Sequence, residues 1–352
     1  MIKYKNILVT GGAGFIGSYL VDALIKKNYK VTILDNLEEQ VHQGKKPKYL
    51  NKKAEFIKGD IRNHKTLDAA LKSIDMIYHL ASSVGVAQSN YEIKKYTDVN
   101  VGATADLLDL IVNSKLPIKK IISVASMTGY GEGNYLCETC GVVRPRTRTQ
   151  AQLNKKQWEL FCPNCKRQVK PVATDEKAQE YPNSIYAITK KTQTDMLMTV
   201  GQIYNIPTVL LKLFNVYGPR QSLSNPYTGV TAIFTSCIKN NEPALLYEDG
   251  LQTRDFVSVH DVVRALVLAL ETSKADYETM NIGSGVPTPI KEIALTLAEA
   301  LGKPGLVEVT DNARVNDTRH CFADIDKARK LLGWKPKEKL TDGIKELVEW
   351  GK

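Results

Sequence analysis

Three groups of residues in this 352-residue chain have the types and spacing to do chemistry. The first is Tyr186 with Lys190, in NSIYAITKKTQTDMLM (residues 183–198). The stretch reads as a helix with Ile188, Thr192 and Met196 along one side, and residues four apart share a helix face. A phenol beside an ammonium can transfer protons, although a packed tyrosine next to a solvated lysine gives the same short pattern. The second group is Gly11, Gly12, Gly14 and Gly17. Glycines let a backbone approach a pyrophosphate, and a helix starting there offers free N–H groups and the positive end of a dipole. The third is Cys137 and Cys140 in CETCGVV with Cys162 and Cys165 in FCPNCKR. Two C-x2-C pairs at this separation have zinc-ribbon spacing, each able to present two sulfurs to one tetrahedral Zn2+. Four thiolates leave no open position, so such a zinc is structural. Cys237 and Cys321 fall outside that pattern.

Regular elements must position these groups. Ile7–Val9 is an apolar, branched run before the glycines, and Tyr19, Leu20, Ala23 and Leu24 follow at helical spacing. A second strand, Lys30–Leu34, ends in Asp35. An acid at that point can accept hydrogen bonds from both hydroxyls of an adenosine ribose and repels a 2′-phosphate, so the expected cofactor is NAD rather than NADP. AEFIKGDI gives a third strand ending at Asp60–Ile61, DMIYHLAS a fourth, YTDVNVGATADLLDLIVNS a long helix and KKIISVAS a fifth strand. Strands alternating with helices make a Rossmann-type, doubly wound parallel sheet of the α/β class. Ligands bind such sheets at the carboxyl ends of the strands, and Ser126 lies just past one of them. Farther on, PIKEIALTLAEALG places Ile290, Ile293, Ala294, Leu297 and Leu301 on one face and stops at Gly302, which reads as a packing helix. The expected organisation is a Rossmann domain from residues 1–136 and 171–215, a small zinc-binding insertion at 137–170, and a smaller α/β substrate domain at 216–352.

The hydrophobic content of 43% suits a globular protein, and no apolar run reaches membrane-span length. MIKYKNILVTGG carries no signal-peptide pattern, so a cytoplasmic location is expected, and there thiolates outcompete disulfides. The net charge is +10, but residues 137–170 hold eight Lys/Arg against only Glu138 and Glu159. The remainder is nearly balanced. No nucleic-acid or membrane partner is expected, and a phosphate-bearing small substrate is the better use of a basic cleft.

Taken together, TGGAGFIG, GDIRN, YHLAS, DVNVGAT, SVASMTGYG, SIYAITK, LFNVYGPRQ, QTRDFVSVHDV, NIGSG and FADIDKARKLLGWKP resemble the extended short-chain dehydrogenase/reductases, specifically the nucleotide-sugar epimerases. VGVAQSNYEI, GYGEGNY, SNPYTGVTAIF and DTRHCFAD bring the resemblance nearest to the dTDP-L-rhamnose 4-epimerase-like branch. The resemblance implies a catalytic set of Ser126, Tyr186 and Lys190. Lys190, with the positive nicotinamide, would favour the Tyr186 phenolate, which takes a proton from the sugar 4-hydroxyl while hydride leaves C4. The transient 4-keto sugar turns over and is reduced on its other face, so NAD stays bound. It further implies cofactor contacts from Gly11, Gly14, Phe15, Ile16, Gly17, Asp35, Asn36, Asp60, Ile61, Leu80, Ala81, Ser82 and Asn100, besides Tyr186 and Lys190. Substrate contacts would come from Val84, Ser126, Thr128 and Asn215, from Arg254 on phosphate, from Arg314 and Asp317 of an R-x-G-D pattern (Asn316 stands where that pattern has glycine), and from Cys321 near the sugar.

Related 4,6-dehydratases and decarboxylases carry acids just after the threonine, whereas this chain reads Ser126-Met127-Thr128-Gly129-Tyr130. Epimerisation is therefore the implied reaction: dTDP-L-rhamnose to dTDP-6-deoxy-L-talose, with a UDP-glucose/UDP-galactose-type 4-epimerase or a nucleotide-sugar 4-ketoreductase as alternatives. Helices near 91–114 and 186–204 would pair in a homodimer. The insertion leaves after Ser126 and returns before Tyr186, so it is expected to form a flap over the sugar pocket or a dimer contact.

Overall fold

Period-two alternation of apolar side chains on strands buried on both faces builds the centre of the molecule. In the computed structural model, which describes residues 4–351, seven parallel strands form one sheet. Residues 1–3 and 352, the outermost ends of the expected domains, lie outside the described residues. The strands are β1 (Asn6–Thr10), β2 (Lys30–Asp35), β3 (Glu55–Lys58), β4 (Met76–His79), β5 (Lys120–Ser126), β6 (Thr208–Leu213) and β7 (Glu278–Ile282). Their spatial order is β7-β6-β5-β4-β1-β2-β3. Ile7 and Val9 point into one core with Val31, Ile33, Val209 and Leu211, while Leu8, Leu34, Ile121 and Leu210 point into the other. Helices α1 (Phe15–Lys26), α2 (Ala103–Asn113), α3 (Ile185–Ile203) and α4 (Val259–Glu271) close the faces. Leu20 and Leu24 of α1 and Val262 and Leu266 of α4 cover the first core; Leu107 and Ile111 of α2 and Leu197 of α3 cover the second.

The chain builds outward from β1 through β2 to β3, then returns to place β4 on the other side of β1. That reversal leaves a crevice beyond the carboxyl ends of β1 and β4, where such sheets bind ligands. β3 ends at Lys58, short of the expected Asp60–Ile61, because Gly59 turns to donate its N–H to Asp35 O at 3.0 Å. The long helix expected over 96–114 is also interrupted. Ile93–Tyr96 is α-helical, Thr97–Gly102 is a π-turn, and α2 follows. The wider turn brings Asn100 fully inward, which 3.6-residue spacing does not foretell.

A smaller C-terminal part has its own core around Phe234, Ile238, Leu246, Ile293, Leu297 and Ile344. There the helix Ile290–Ala300 buries Ile293, Ala294 and Leu297, and Gly302 follows at φ +69°. A second small sheet sets Thr253–Arg254 between Thr288–Pro289 and His320–Cys321. The cysteine-bearing segment folds as a three-stranded antiparallel sheet of Asn134–Cys137, Gly141–Val143 and Lys170–Val172. Its buried apolar cluster is limited to Tyr135, Cys137, Val143, Leu160, Cys162 and Val169. No helix among the described residues is long and apolar enough to cross a membrane.

Candidate active site

A cavity of about 480 Å³ opens at the β1/β4 crevice. Its wall brings together Gly11, Gly14, Phe15, Ile16, Gly17, Asp35, Asn36, Asp60, Ile61, Leu80, Ala81, Ser82, Tyr186 and Lys190. Every expected cofactor residue is thus present except Asn100. That amide is consumed holding the loop after β4: Oδ1 accepts from Ser83 N at 2.7 Å and Ser82 Oγ at 3.0 Å, and Nδ2 donates to Ser83 O and Thr189 Oγ1, both at 3.1 Å.

The wall suits a dinucleotide. Gly11 sits at φ +70°, where a Cβ would lie 2.9 Å from Ala81 N, and a Cβ on Gly17 would lie 2.3 Å from Gly11 O. Side chains at either position would fill the cradle. No side chain caps α1, so its first N–H groups remain available to an anion. Asp35 accepts from Ala13 N at 3.0 Å and Leu37 N at 2.9 Å, which fixes the carboxylate at the cavity edge with lone pairs to spare. Asp60 is held by Arg62 and Asn36, and chiefly the Arg62 hydrogen bond lowers it to about 2.

The expected catalytic residues converge on the same wall from different elements. Ser126 ends β5, and its Oγ lies 2.9 Å from Thr128 Oγ1 and accepts from Thr128 N at 3.3 Å. Thr128 itself lies behind Ser126, off the cavity wall. Ser184 caps α3 through Ala187 N at 3.2 Å, and Tyr186 N donates to Ser89 Oγ at 2.9 Å, which anchors the turn carrying the phenol. Burial raises the Tyr186 phenol above its usual range, while the hydrogen bond with Ser126 pulls it down. The Lys190 ammonium donates to Gln193 Oε1, and burial lowers it to about 7. It shares the cavity wall with the Tyr186 phenol.

Gln193 leads into a buried polar chain that the sequence did not announce. Its Nε2 donates to Thr104 Oγ1 at 3.0 Å, and His79 Nε2 lies 3.0 Å from the same hydroxyl. Thr104 donates to Asn100 O at 2.8 Å, His79 Nε2 also lies 3.2 Å from Gln193 Nε2, and His79 Nδ1 lies 3.0 Å from Thr10 Oγ1. Burial and then the Lys190 charge lower His79 to about 3, keeping it neutral. A histidine ending an apolar strand and a glutamine three residues beyond Lys190 were the available signals. A second missed residue is Glu180, whose carboxyl carbon would lie 3.3 Å from a Cβ on Gly129. It is ion-paired with Lys212 and Lys191, so it is not a free acid beside the turn.

On the substrate side, Val84 and Asn215 line the cavity, whereas Arg254, Arg314, Asp317 and Cys321 do not. Arg254 donates to Asp317 Oδ1 at 3.1 Å and to the carbonyls of Thr253, Thr318 and Arg319. Arg314 is exposed and stacks 4.0 Å over the Tyr247 ring. Asn316 takes φ +63°, the left-handed conformation glycine would supply and asparagine tolerates. Cys321 is 1% exposed, packed in the main core, with burial pushing its thiol to about 12. It pairs with Arg254 in the small sheet and lies off the cavity wall.

The four expected metal ligands do meet. All four Sγ atoms lie within 4.8 Å of one another, and Cys137 Sγ is 3.4 Å from Cys165 Sγ. Tetrahedral sulfurs about 2.3 Å from a zinc ion stand roughly 3.8 Å apart. The cysteines are unbridged, and the backbone amides of Cys165 and Asn164 lower Cys162 to about 6. The insertion does not cover the cavity: no residue of 137–170 lines it.

The profile of the NAD dependent epimerase/dehydratase family matches residues 7–283. The chain belongs to this family. It is 36% identical to the dTDP-L-rhamnose 4-epimerase of Burkholderia thailandensis over 99% of this chain and 96% of that protein. Among solved structures, it resembles the UDP-glucose 4-epimerase of Thermotoga maritima with UDP-glucose (TM-score 0.80, 31% identity, 98% of each chain). It also resembles the UDP-glucuronic acid 4-epimerase of Bacillus cereus in complex with UDP-glucuronic acid and NAD (TM-score 0.80, 29% identity, 98% of each chain).

Proposed function

We propose that the enzyme interconverts dTDP-L-rhamnose and dTDP-6-deoxy-L-talose. It is an NAD-dependent nucleotide-sugar 4-epimerase. The observation that carries the chemistry is the convergence of Ser126, Tyr186 and Lys190 on one wall with the glycine turn and Asp35. The sugar is argued from the full-length likeness to the Burkholderia thailandensis enzyme. Gly11, Gly14, Gly17 and Asp35 would hold NAD, which when bound accepts the C4 hydride and gives it back.

Tyr186 Oη takes the proton from the sugar 4-hydroxyl and later returns it to the same oxygen. Ser126 donates a hydrogen bond to that oxygen and keeps it near the phenol. Because burial alone disfavours the phenolate, the positive charge of Lys190 on the same wall is needed for Tyr186 to act near neutral pH. The sugar must rotate while the nucleotide stays fixed, so the grip belongs on the diphosphate. Asn215, on the cavity wall, would lie along it, and Arg254, off that wall, would reach it only through Nε, since both its Nη atoms donate to Asp317 and to the Thr253, Thr318 and Arg319 carbonyls. Arg314 and Asp317 complete the nucleotide side.

The cysteine cluster is read as a structural zinc site on its spacing and its sulfur separations. A homodimer is read from the exposed Ile93, Ile188, Ile203 and Tyr204 on the outer helices. A cytoplasmic location belongs to the same reading, since reducing conditions there would keep the four cysteines as thiolates able to hold the metal. A second reading, a UDP-glucose-type 4-epimerase, is favoured by the likeness to the Thermotoga maritima structure. Incubating purified enzyme separately with dTDP-L-rhamnose, UDP-glucose and UDP-galactose, then following products by NMR, separates the two. The expected result is a C4 mixture from dTDP-L-rhamnose with no net cofactor consumption. Stoichiometric use of reduced cofactor would instead indicate a 4-ketoreductase, and no interconversion at all would refute both epimerase readings.

A further inference from the structure

The cysteine-bearing segment touches the rest of the molecule through a buried ionic network, remote from the cavity. Arg148 and Glu159 belong to the insertion; Glu248, Asp249, Arg319 and His320 belong to the C-terminal part. Arg319, 1% exposed, donates to Glu159 Oε1 through Nε at 3.0 Å and Nη2 at 2.6 Å. It also pairs with Glu248 Oε2 at 3.0 Å and with both oxygens of Asp249. Arg148 donates to Glu248 Oε2 at 2.7 Å and to the backbone oxygen of Asp317 at 3.1 Å. His320 Nδ1 accepts from Thr253 N at 3.2 Å, so its Nε2 carries the proton and donates to Glu159 Oε2 at 3.2 Å. Side chains of both arginines and of Glu248 are at most 1% exposed.

The segment fastened this way is the one that holds Arg254. The Arg319 carbonyl accepts from Thr253 N at 3.0 Å and Arg254 Nη1 at 3.2 Å, and Thr318 and Asp317 take Nη2. Buried charges tolerate little displacement, because each loses its partners outright when one moves. The insertion cannot reach this network by its own apolar packing, which amounts to the six-residue cluster around two of its cysteines. A metal held by the four cysteines would add the order that this small cluster lacks.

We propose that the metal-ordered insertion is a positioning device for the nucleotide side of the substrate: through Glu159 and Arg148 it fixes Arg319, and through the 317–319 backbone it aims Arg254. The inference rests on the reading of Arg254 as a diphosphate ligand. Glu159 and Arg148 are positioning residues and touch no reacting atom. Loss of the metal therefore weakens nucleotide binding while leaving the Ser126–Tyr186–Lys190 wall and the NAD cradle unchanged.

The test uses purified NAD-bound enzyme, with metal counted by elemental analysis and dTDP and UDP binding measured by calorimetry. Glu159→Gln, at the solvent edge of the network, is compared with Glu159→Asp and with chelator-stripped wild type. The expectation is roughly tenfold weaker nucleoside-diphosphate binding and a KM raised equally for Glu159→Gln, the scale of losing a hydrogen bond to a charged group. Bound NAD and kcat stay within about twofold, and Glu159→Asp, which keeps the charge, lies between. Stripped enzyme follows Glu159→Gln if it stays folded by melting; if it unfolds, the Glu159 pair decides. Equal nucleotide binding by folded Glu159→Gln and wild type overturns this inference alone, as does a fall in kcat with KM unchanged. Absence of binding to either nucleotide by the wild type overturns the functional reading and this one with it.

Discussion

Lys190 makes a prediction in which stability and catalysis oppose each other. The side chain is 3% exposed and burial lowers its ammonium from 10.5 to about 7. In the unfolded chain the group stays protonated up to about pH 10.4. Between these values the unfolded state binds the extra proton, so stability rises with pH from about 7 upward, and the penalty is full below 7. At about 1.4 kcal/mol per pH unit the burial costs roughly 4 kcal/mol at pH 7 and roughly 2 kcal/mol at pH 9. Lys190→Met removes this cost but leaves Gln193 Oε1 without its donor, an opposing penalty of about 1–3 kcal/mol that does not depend on pH. His79, lowered to about 3, stays neutral in both proteins across the range and adds nothing. The expected outcome is a variant more stable than wild type by about 1–3 kcal/mol at pH 7, with the gap narrowing by about 2 kcal/mol by pH 9. Urea unfolding of cofactor-free protein at the two pH values measures it, and steady-state assays should show kcat severely reduced. Parallel stability curves for the two proteins would refute the reasoning, since only the buried ammonium supplies the difference.

Tyr186→Phe removes the phenolic oxygen alone and should lower kcat by about 10²–10⁴, the usual weight of a general base, with dTDP binding by calorimetry unchanged. Asp35→Asn keeps acceptor oxygen for the local backbone N–H groups but loses the charge, so fluorescence titration should show NADP gaining on NAD by about tenfold; unchanged preference would remove Asp35 from the ribose site. Elemental analysis should find one zinc per chain, lost in Cys140→Ser together with several degrees of melting temperature. Full retention of metal by that variant would show that the four sulfurs do not act as one site.

The site was partly legible because some of its chemistry is local. The glycine turn, the acid ending β2 and the Tyr186–Lys190 helix each depend on neighbours within one or two elements, so spacing reports them. The C-x2-C pairs are legible for the same reason, each knuckle being a short turn. Asn100 was placed at the cofactor by resemblance; the π-turn, which spacing cannot register, brings its amide to Ser82 Oγ and the Ser83 backbone. Cys321 likewise packs in the main core, a position that its motif does not report.

The sequence by itself determined the alternating α/β order, the dinucleotide cradle, the proton-transfer helix and a four-thiolate cluster, because each is written in periodicities of two to four residues. Only the tertiary structure decided where Lys190 spends its ammonium and where the insertion rests. The insertion rests where Arg319, far along the chain, meets Glu159, and the nearby Gln193 that takes Lys190 is itself held by His79 and Thr104 from far earlier in the chain. Pairings over such separations are chosen by burial, where a charge must find whatever partner the packing brings, and no local pattern encodes that choice.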